Sequence, residues 1–314
     1  MAVTQLDKVF LGHTPADQRK FLTAALRFLK DKFPVIFLPA CGQFTLAKCA
    51  IEAGYDKANI HCSDMSLYSS LLGYLYSNKP IDLLGVRVAP EYEGDYRNCV
   101  DDFDKASFLI WLMKISQMNP TVFYEKVVYD DLIERKGWHI ANIRRKLTEY
   151  NKYYNGINYD IADMRNILMG EKGKQAITVV NPPVFRNGYT KMFNFKGNII
   201  WDSGILEFDF YKEYRNFYQI TKSQTTPHIW YRFRDTKGFD WREVIFSKEY
   251  DADKHDYWLL TKPDVLDKFN YTYTVEHSQS KGVKPYPAPL FTDKDTLTKD
   301  STIRFVPVEE EVAI

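Results

Sequence analysis

Gln175-Ala-Ile-Thr-Val-Val-Asn-Pro-Pro-Val-Phe185 is an apolar, β-branched run that stops abruptly at an asparagine and two prolines. Ala176 to Val180 is short, continuous and β-branched, the pattern of a strand buried on both faces of a parallel sheet. Pro182 and Pro183 must end it, because proline cannot donate to the ladder and each pushes the residue before it into extended geometry. Asn181 and Pro182 are therefore expected at the strand's carboxyl edge, where open α/β sheets bind ligands.

Upstream, Thr14-Pro-Ala-Asp-Gln-Arg-Lys-Phe-Leu reads as a helix start with Thr14 as cap candidate, and Phe21, Leu22, Ala25, Leu26 and Leu29 recur at helical spacing. Phe33 to Pro39 is the expected first sheet strand, feeding a tight turn, Pro39-Ala-Cys-Gly-Gln-Phe44, and then a helix closed by Gly54. Asn59 to Asp64 reads as a second strand ending in an acid, with a helix from Met65 to Tyr76. Asp64 lies 22 residues after Gly42, and in dinucleotide-type folds a carboxylate about 20 residues beyond the glycine turn takes ribose hydroxyls. The competing reading makes Asp64 the N-cap of the following helix.

Residues 86–155 leave the strand and helix alternation for long amphipathic stretches broken at Asn119-Pro120 and Lys136-Gly137, a helical insertion too long for a plain connection. Lys136, Arg144, Arg145, Lys146 and Lys152, interleaved with Trp138, His139, Tyr150, Tyr153 and Tyr154, fit either a solvated helix face or a surface for single-stranded or flipped nucleic acid. Gly156 to Asp163 returns to the sheet pattern. Beyond Phe185, the stretches 198–202, 205–211 and 228–234 and Tyr257-Trp-Leu-Leu260 read as strands bounded by Gly and Pro. The segment from Lys281, with Pro285, Pro287 and Pro289, reads as an extended tail with a loose acidic end at Glu309-Glu-Glu311. The expected organisation is 1–85 as the first half of one domain, 86–155 as the insertion, 156–280 as the second half and 281–314 as the tail.

A net charge of +1 excludes a protein that coats nucleic acid by bulk charge, while allowing a local basic face. Cys41, Cys49, Cys62 and Cys99 include no Cys-x-x-Cys pair and read as free thiols of a reducing compartment. The histidines form no metal-binding pattern, so no metal is expected. No stretch approaches the ~20 apolar residues of a membrane span, and the expected location is the cytoplasm.

Asn181-Pro-Pro183 followed by an aromatic resembles the chemical motif of the S-adenosylmethionine-dependent amino methyltransferases. In that family the asparagine side-chain oxygen and the first proline's carbonyl accept the N–H groups of a poorly nucleophilic amine and aim its lone pair at the methyl sulfonium, which is positioning and electrostatics rather than base catalysis. The aromatic usually follows the second proline directly; here Val184 stands there and Phe185 comes next, with Tyr189 or Phe193 as other candidates to stack on a flipped base. Pro39-Ala-Cys-Gly42 resembles the family's cofactor loop, usually Asp-Pro-Ala-Cys-Gly-Ser-Gly before a helix, with Leu38 in place of the acid and Phe44 in place of the second glycine. By that resemblance Pro39, Ala40, Cys41, Gly42, Asp64 and Met65 seat S-adenosylmethionine, and Asp163, with Asp160 second, contacts its adenine.

The motif order is similar to that of phage-type adenine methyltransferases of the antirestriction class. It implies an α/β, Rossmann-like class I methyltransferase fold, a mostly parallel sheet with flanking helices and a helical insertion, acting on DNA adenine with Asn181, Pro182, Pro183 and Phe185 at the reacting amine. An adenine in duplex DNA must first be flipped out, at a cost of a few kcal/mol. Two rivals stand beside this: a methyltransferase acting on RNA or on protein glutamine, and a non-catalytic protein of the same fold binding DNA or a host defence protein. Oligomeric state is not legible.

Overall fold

A computed structural model describes residues 14–183, 193–204, 210–232, 243–251, 254–262, 265, 271–277, 283–287 and 301–307. The chain runs through α1 (Ala16–Leu29), β1 (Val35–Pro39), α2 (Thr45–Ala53), β2 (Ile60–Asp64) and α3 (Leu67–Tyr76). After β3 (Arg87–Val88) come α4 (Pro90–Arg97), α5 (Asp102–Gln117), α6 (Phe123–Glu134) and α7 (Lys136–Tyr154), and then β4 (Asn158–Ile161), α8 (Met164–Met169) and β5 (Ala176–Val180). β6 (Ile199–Ile200), α9 (Phe210–Ser223), β7 (His228–Arg232), β8 (Val244–Asp251) and β9 (Lys254–Leu260) precede β10 (Tyr271–His277), β11 (Val283–Pro287) and β12 (Ser301–Pro307).

The main sheet has the order β4-β2-β1-β5-β7-β9-β8. β4, β2, β1, β5 and β7 are parallel, and β9 runs antiparallel to both β7 and β8. This is the expected Rossmann-like, mostly parallel α/β sheet. All five residues of β5 are buried, as a strand covered on both faces requires. Strand order reverses at β1, with β2 and β4 on one side and β5 and β7 on the other. The segments after β1 and β5 therefore leave neighbouring strands at a topological switch point, the ligand-binding position of such sheets.

Helix α3 reaches β4 through a very close contact at Gly73. A Cβ there would stand 2.2 Å from Cγ of Tyr159, whose buried ring has its hydroxyl 3.0 Å from Ser70 Oγ. Gly73→Ala is expected to cost about 1–3 kcal/mol of stability through overpacking, read as a lower urea midpoint; an unchanged midpoint would mean that α3 moves off β4 freely.

Three expectations differ from the structure. The stretch 205–211 was expected as a strand, but Phe210 and Tyr211 open α9, where the buried Tyr214, Phe217, Tyr218 and Thr221 recur at helical spacing; residues 205–209 lie outside the described residues. Helical burial of one aromatic face overrides the local β preference of Phe and Tyr. The expected extended tail contributes β11 and β12, which pair antiparallel with β10, so strand pairing crosses residue 280; Glu309 to Glu311 lie outside the described residues. Third, α1 begins at Ala16 with Pro15 at its cap position and no capping side chain, so Thr14 is not the helix cap.

The insertion is charge-neutral, with eleven Lys and Arg against eleven Asp and Glu over residues 86–155. Its basic residues are largely spent internally. Arg144 bonds Asp101 at 2.6 and 2.8 Å and Asp104 at 2.5 Å, Arg145 bonds Glu149 at 2.8 Å, and Lys136 pairs with Asp95 while lying over the rings of Phe108 and Trp111. Tyr154 packs into the core against Tyr76. Of the two readings of this segment, the structure favours an ordinary helical face.

Candidate active site

The first wall of the site is the turn after β1. Ala40, Gly42 and Phe44 have φ of 54°, 52° and 61°, so three alternate residues sit in left-handed conformation. Only glycine adopts it without steric cost. Cys41 N donates to Ser63 O at 3.0 Å, which stitches the turn to β2. The Cys41 thiol is buried, and desolvation together with neighbouring Cys62 holds it well above the ordinary thiol range, an inert structural cysteine. α2 then starts at Thr45 with no side chain capping it and no acid in its first turn. Its amino end therefore carries a positive dipole that no side-chain cap or first-turn acid of α2 offsets.

The second wall is Asp64 at the end of β2, 8% exposed. Its Oδ2 accepts from Gly42 N and its Oδ1 from Ser66 N, both at 2.9 Å. The 22-residue spacing seen in the sequence is thus a direct bond between glycine turn and acid. Burial raises the Asp64 carboxyl above its usual range against the opposing pull of those amides. Asp64 is not the helix cap: Ser66 caps α3, accepting from Ser69 N at 3.2 Å. Met65, half-buried, lies between them.

Phe44 stands where the resembled loop has its second glycine, and it is fully buried. Its ring centroid lies 5.0 Å from Tyr76, 6.1 Å from Tyr154 and 5.9 Å from Tyr159. The ring is committed to an aromatic cluster shared by α3, α7 and β4. Leu38, in place of the usual acid, is also fully buried, paired across the sheet with Cys62.

The third element is the segment after β4. Asp163 caps α8 by accepting from Arg165 N at 2.8 Å, and its carboxylate is held by Arg165 Nε at 2.9 and 2.8 Å and Nη2 at 2.5 Å. Arg165 in turn reaches Glu213 on α9 at 3.3 Å. Asp160 is exposed and pairs with Lys79 at 2.7 Å. Both acids proposed for an adenine contact therefore have protein partners, while Ile161 and Ala162 stand half-buried beside them.

The fourth is the Asn181-Pro-Pro183 edge. Asn181 and Pro183 are half-buried and Pro182 is buried, directly after β5. Asn181 Nδ2 donates to Thr14 Oγ1 at 3.2 Å, and its Oδ1 has no partner among the described residues. This leaves an acceptor at the sheet's carboxyl edge. Phe185, Val184 and Tyr189, which bear on the stacking ring, lie outside the described residues; Phe193 is half-buried. Thr14 was missed as a site residue because its contact spans 167 positions and leaves no local signal. Among the described residues no group of three or more His, Cys, Asp or Glu is placed to hold a metal, and no helix is long and apolar enough to cross a membrane.

A family model described as Phage DNA Adenine Methylase-like domain 1 matches residues 10–246. No curated protein matches the sequence. Among solved structures, the rRNA methyltransferase aviRa from Streptomyces viridochromogenes is similar over 85% of this chain and 94% of that chain, at 12% identity and a TM-score of 0.34.

Proposed function

This chain belongs to the phage DNA adenine methylase-like family, and from that premise we propose that it transfers the methyl group of S-adenosylmethionine to the exocyclic amine of adenine in DNA, protecting that DNA from restriction. The observation that carries the reading is Oδ1 of Asn181, without a partner among the described residues, at the sheet's carboxyl edge, one strand from the glycine turn. Asn181 Oδ1 and the Pro182 carbonyl accept the two amine protons, which draws the nitrogen lone pair out of conjugation and orients it. No general base is needed before attack, because positioning and preorganised acceptors supply the stabilisation, and the methylated nitrogen then releases its extra proton to water as the sulfonium leaves as a neutral thioether.

S-adenosylmethionine, when bound, supplies an activated methyl on a sulfonium. The residues fit it: the uncapped start of α2 suits its carboxylate, Gly42 admits close backbone approach, and the Asp64 carboxylate stands beside that turn as an acceptor for a ribose hydroxyl. Asp163 serves through Arg165, whose bond to it fixes the loop after β4 rather than leaving a free carboxylate. The choice of DNA rests on the family, since the insertion's charges are balanced. Asp64→Ala is expected to weaken cofactor binding by about 1.5–3 kcal/mol, measured by calorimetric titration; unchanged affinity would confine Asp64 to holding the Gly42 turn.

A second reading, a non-catalytic binding protein, is favoured by two observations: residues 41–47 are buried throughout and the Asp64 carboxylate already serves two amides. Titration with S-adenosylmethionine and its demethylated product, followed by labelled-methyl transfer to unmethylated DNA, RNA and a glutamine-bearing protein, decides among them. Micromolar binding with label in DNA supports the proposal. Label in RNA or protein alone redirects the substrate, and no binding at millimolar cofactor with or without DNA selects the second reading.

A further inference from the structure

Thr14 lies 167 residues from Asn181 in sequence, yet its hydroxyl oxygen accepts the only hydrogen bond from the Asn181 amide among the described residues. Thr14 is 2% exposed and serves no helix cap. It is also held from behind. Arg19 Nη1 donates to the Thr14 carbonyl at 2.5 Å, and Gln18, fully buried in the first turn of α1, accepts from Trp258 Nε1 on β9 at 3.1 Å. The start of α1 is thus bolted to the main sheet, and its lead residue touches the one side chain whose orientation the chemistry requires.

An asparagine amide has two faces of opposite character, an acceptor oxygen and a donor nitrogen, and a rotation of about 180° exchanges them. With Oδ1 towards the substrate the amide accepts an amine proton; with Nδ2 there, two donors meet and the amine is repelled. The Thr14 hydroxyl can accept from Nδ2 or donate to Oδ1; in the structure it accepts from Nδ2, which anchors the amide in the first state. Building on the proposed function, we infer that Thr14 is a positioning residue: its hydroxyl fixes the Asn181 amide with Oδ1 facing the reacting amine.

The test uses the full chain. Thr14→Val keeps shape and removes the acceptor, while Thr14→Ser keeps it. In labelled-methyl transfer, Thr14→Val is expected to lower kcat about tenfold, the worth of roughly one hydrogen bond, with cofactor Kd and DNA KM within about twofold. Thr14→Ser should restore kcat. Equal loss in both variants, or loss of kcat in step with cofactor affinity, would reduce Thr14 to a packing residue and overturn the inference. A second readout needs no activity. A stability cycle of Thr14→Val, Asn181→Leu and the double variant in the ligand-free protein should be non-additive; additivity overturns the inference as well. If the cycle is non-additive while the parent chain methylates no substrate, the contact stands and the proposed function falls.

Discussion

Asn181→Ala is expected to abolish methyl transfer, with kcat lower by at least about 10²–10³, the usual cost of removing one preorganised electrostatic partner. Cofactor affinity should stay within a few fold. The separation follows from geometry: Asn181 belongs to the end of β5, whereas the turn holding Gly42 and the Asp64 carboxylate belongs to β1 and β2. Single-turnover transfer from bound, labelled S-adenosylmethionine gives the first quantity and calorimetry the second. Loss of both by the same factor would show that Asn181 supports the cofactor seat, and the role assigned to it would fall. The chain should remain folded, because Asn181 is half-buried and its one side-chain hydrogen bond among the described residues, to Thr14, is worth about 1 kcal/mol.

The elements that the sequence places well are those whose signal is local. Ala176 to Val180 is a strand in the structure at the bounds its β-branched run and terminating prolines dictate, and Gly54 closes α2 in left-handed conformation at φ 93°. The spacing of Gly42 and Asp64 is realised as a bond because a strand, a turn and a helix of ordinary length return the chain to the adjacent strand. Illegible features are those fixed by distant partners. Thr14 looked like a helix cap since Thr before Pro is a good local start, but α1 begins without it. Asp163 looked free to meet a ligand because nothing nearby announces that Arg165 folds back onto it and on towards Glu213. The insertion's basic residues left a nucleic-acid surface open beside a solvated helix face because Arg144 and its acids, Asp101 and Asp104, are 40 or more positions apart. Helix α9 was read as a strand at its start because Phe210 and Tyr211 favour sheets, while the buried face that decides it only becomes periodic from Tyr214 onward.

Phe44 makes the second large prediction. It occupies a left-handed backbone position at φ 61° with its side chain fully buried, so two opposed terms act at one residue. The ring contributes burial and an edge contact with Tyr76 at 5.0 Å, and removing it as Phe44→Ala is expected to cost about 3–5 kcal/mol. The backbone is strained for any residue with a Cβ, by about 1–2 kcal/mol, and alanine keeps that strain while losing the ring. Glycine loses the ring but releases the strain, so Phe44→Gly is expected to be more stable than Phe44→Ala by about 1 kcal/mol, the reverse of the usual order inside helices. Urea midpoints at constant m-value measure both differences. Because the ring packs against Tyr76, Tyr154 and Tyr159, cofactor affinity of Phe44→Gly, measured well below its unfolding midpoint, should lie within a few fold of the parent's. A tenfold or greater gain in affinity would mean instead that the ring obstructs the cofactor seat, which is the behaviour of a fold retained for binding rather than for methyl transfer.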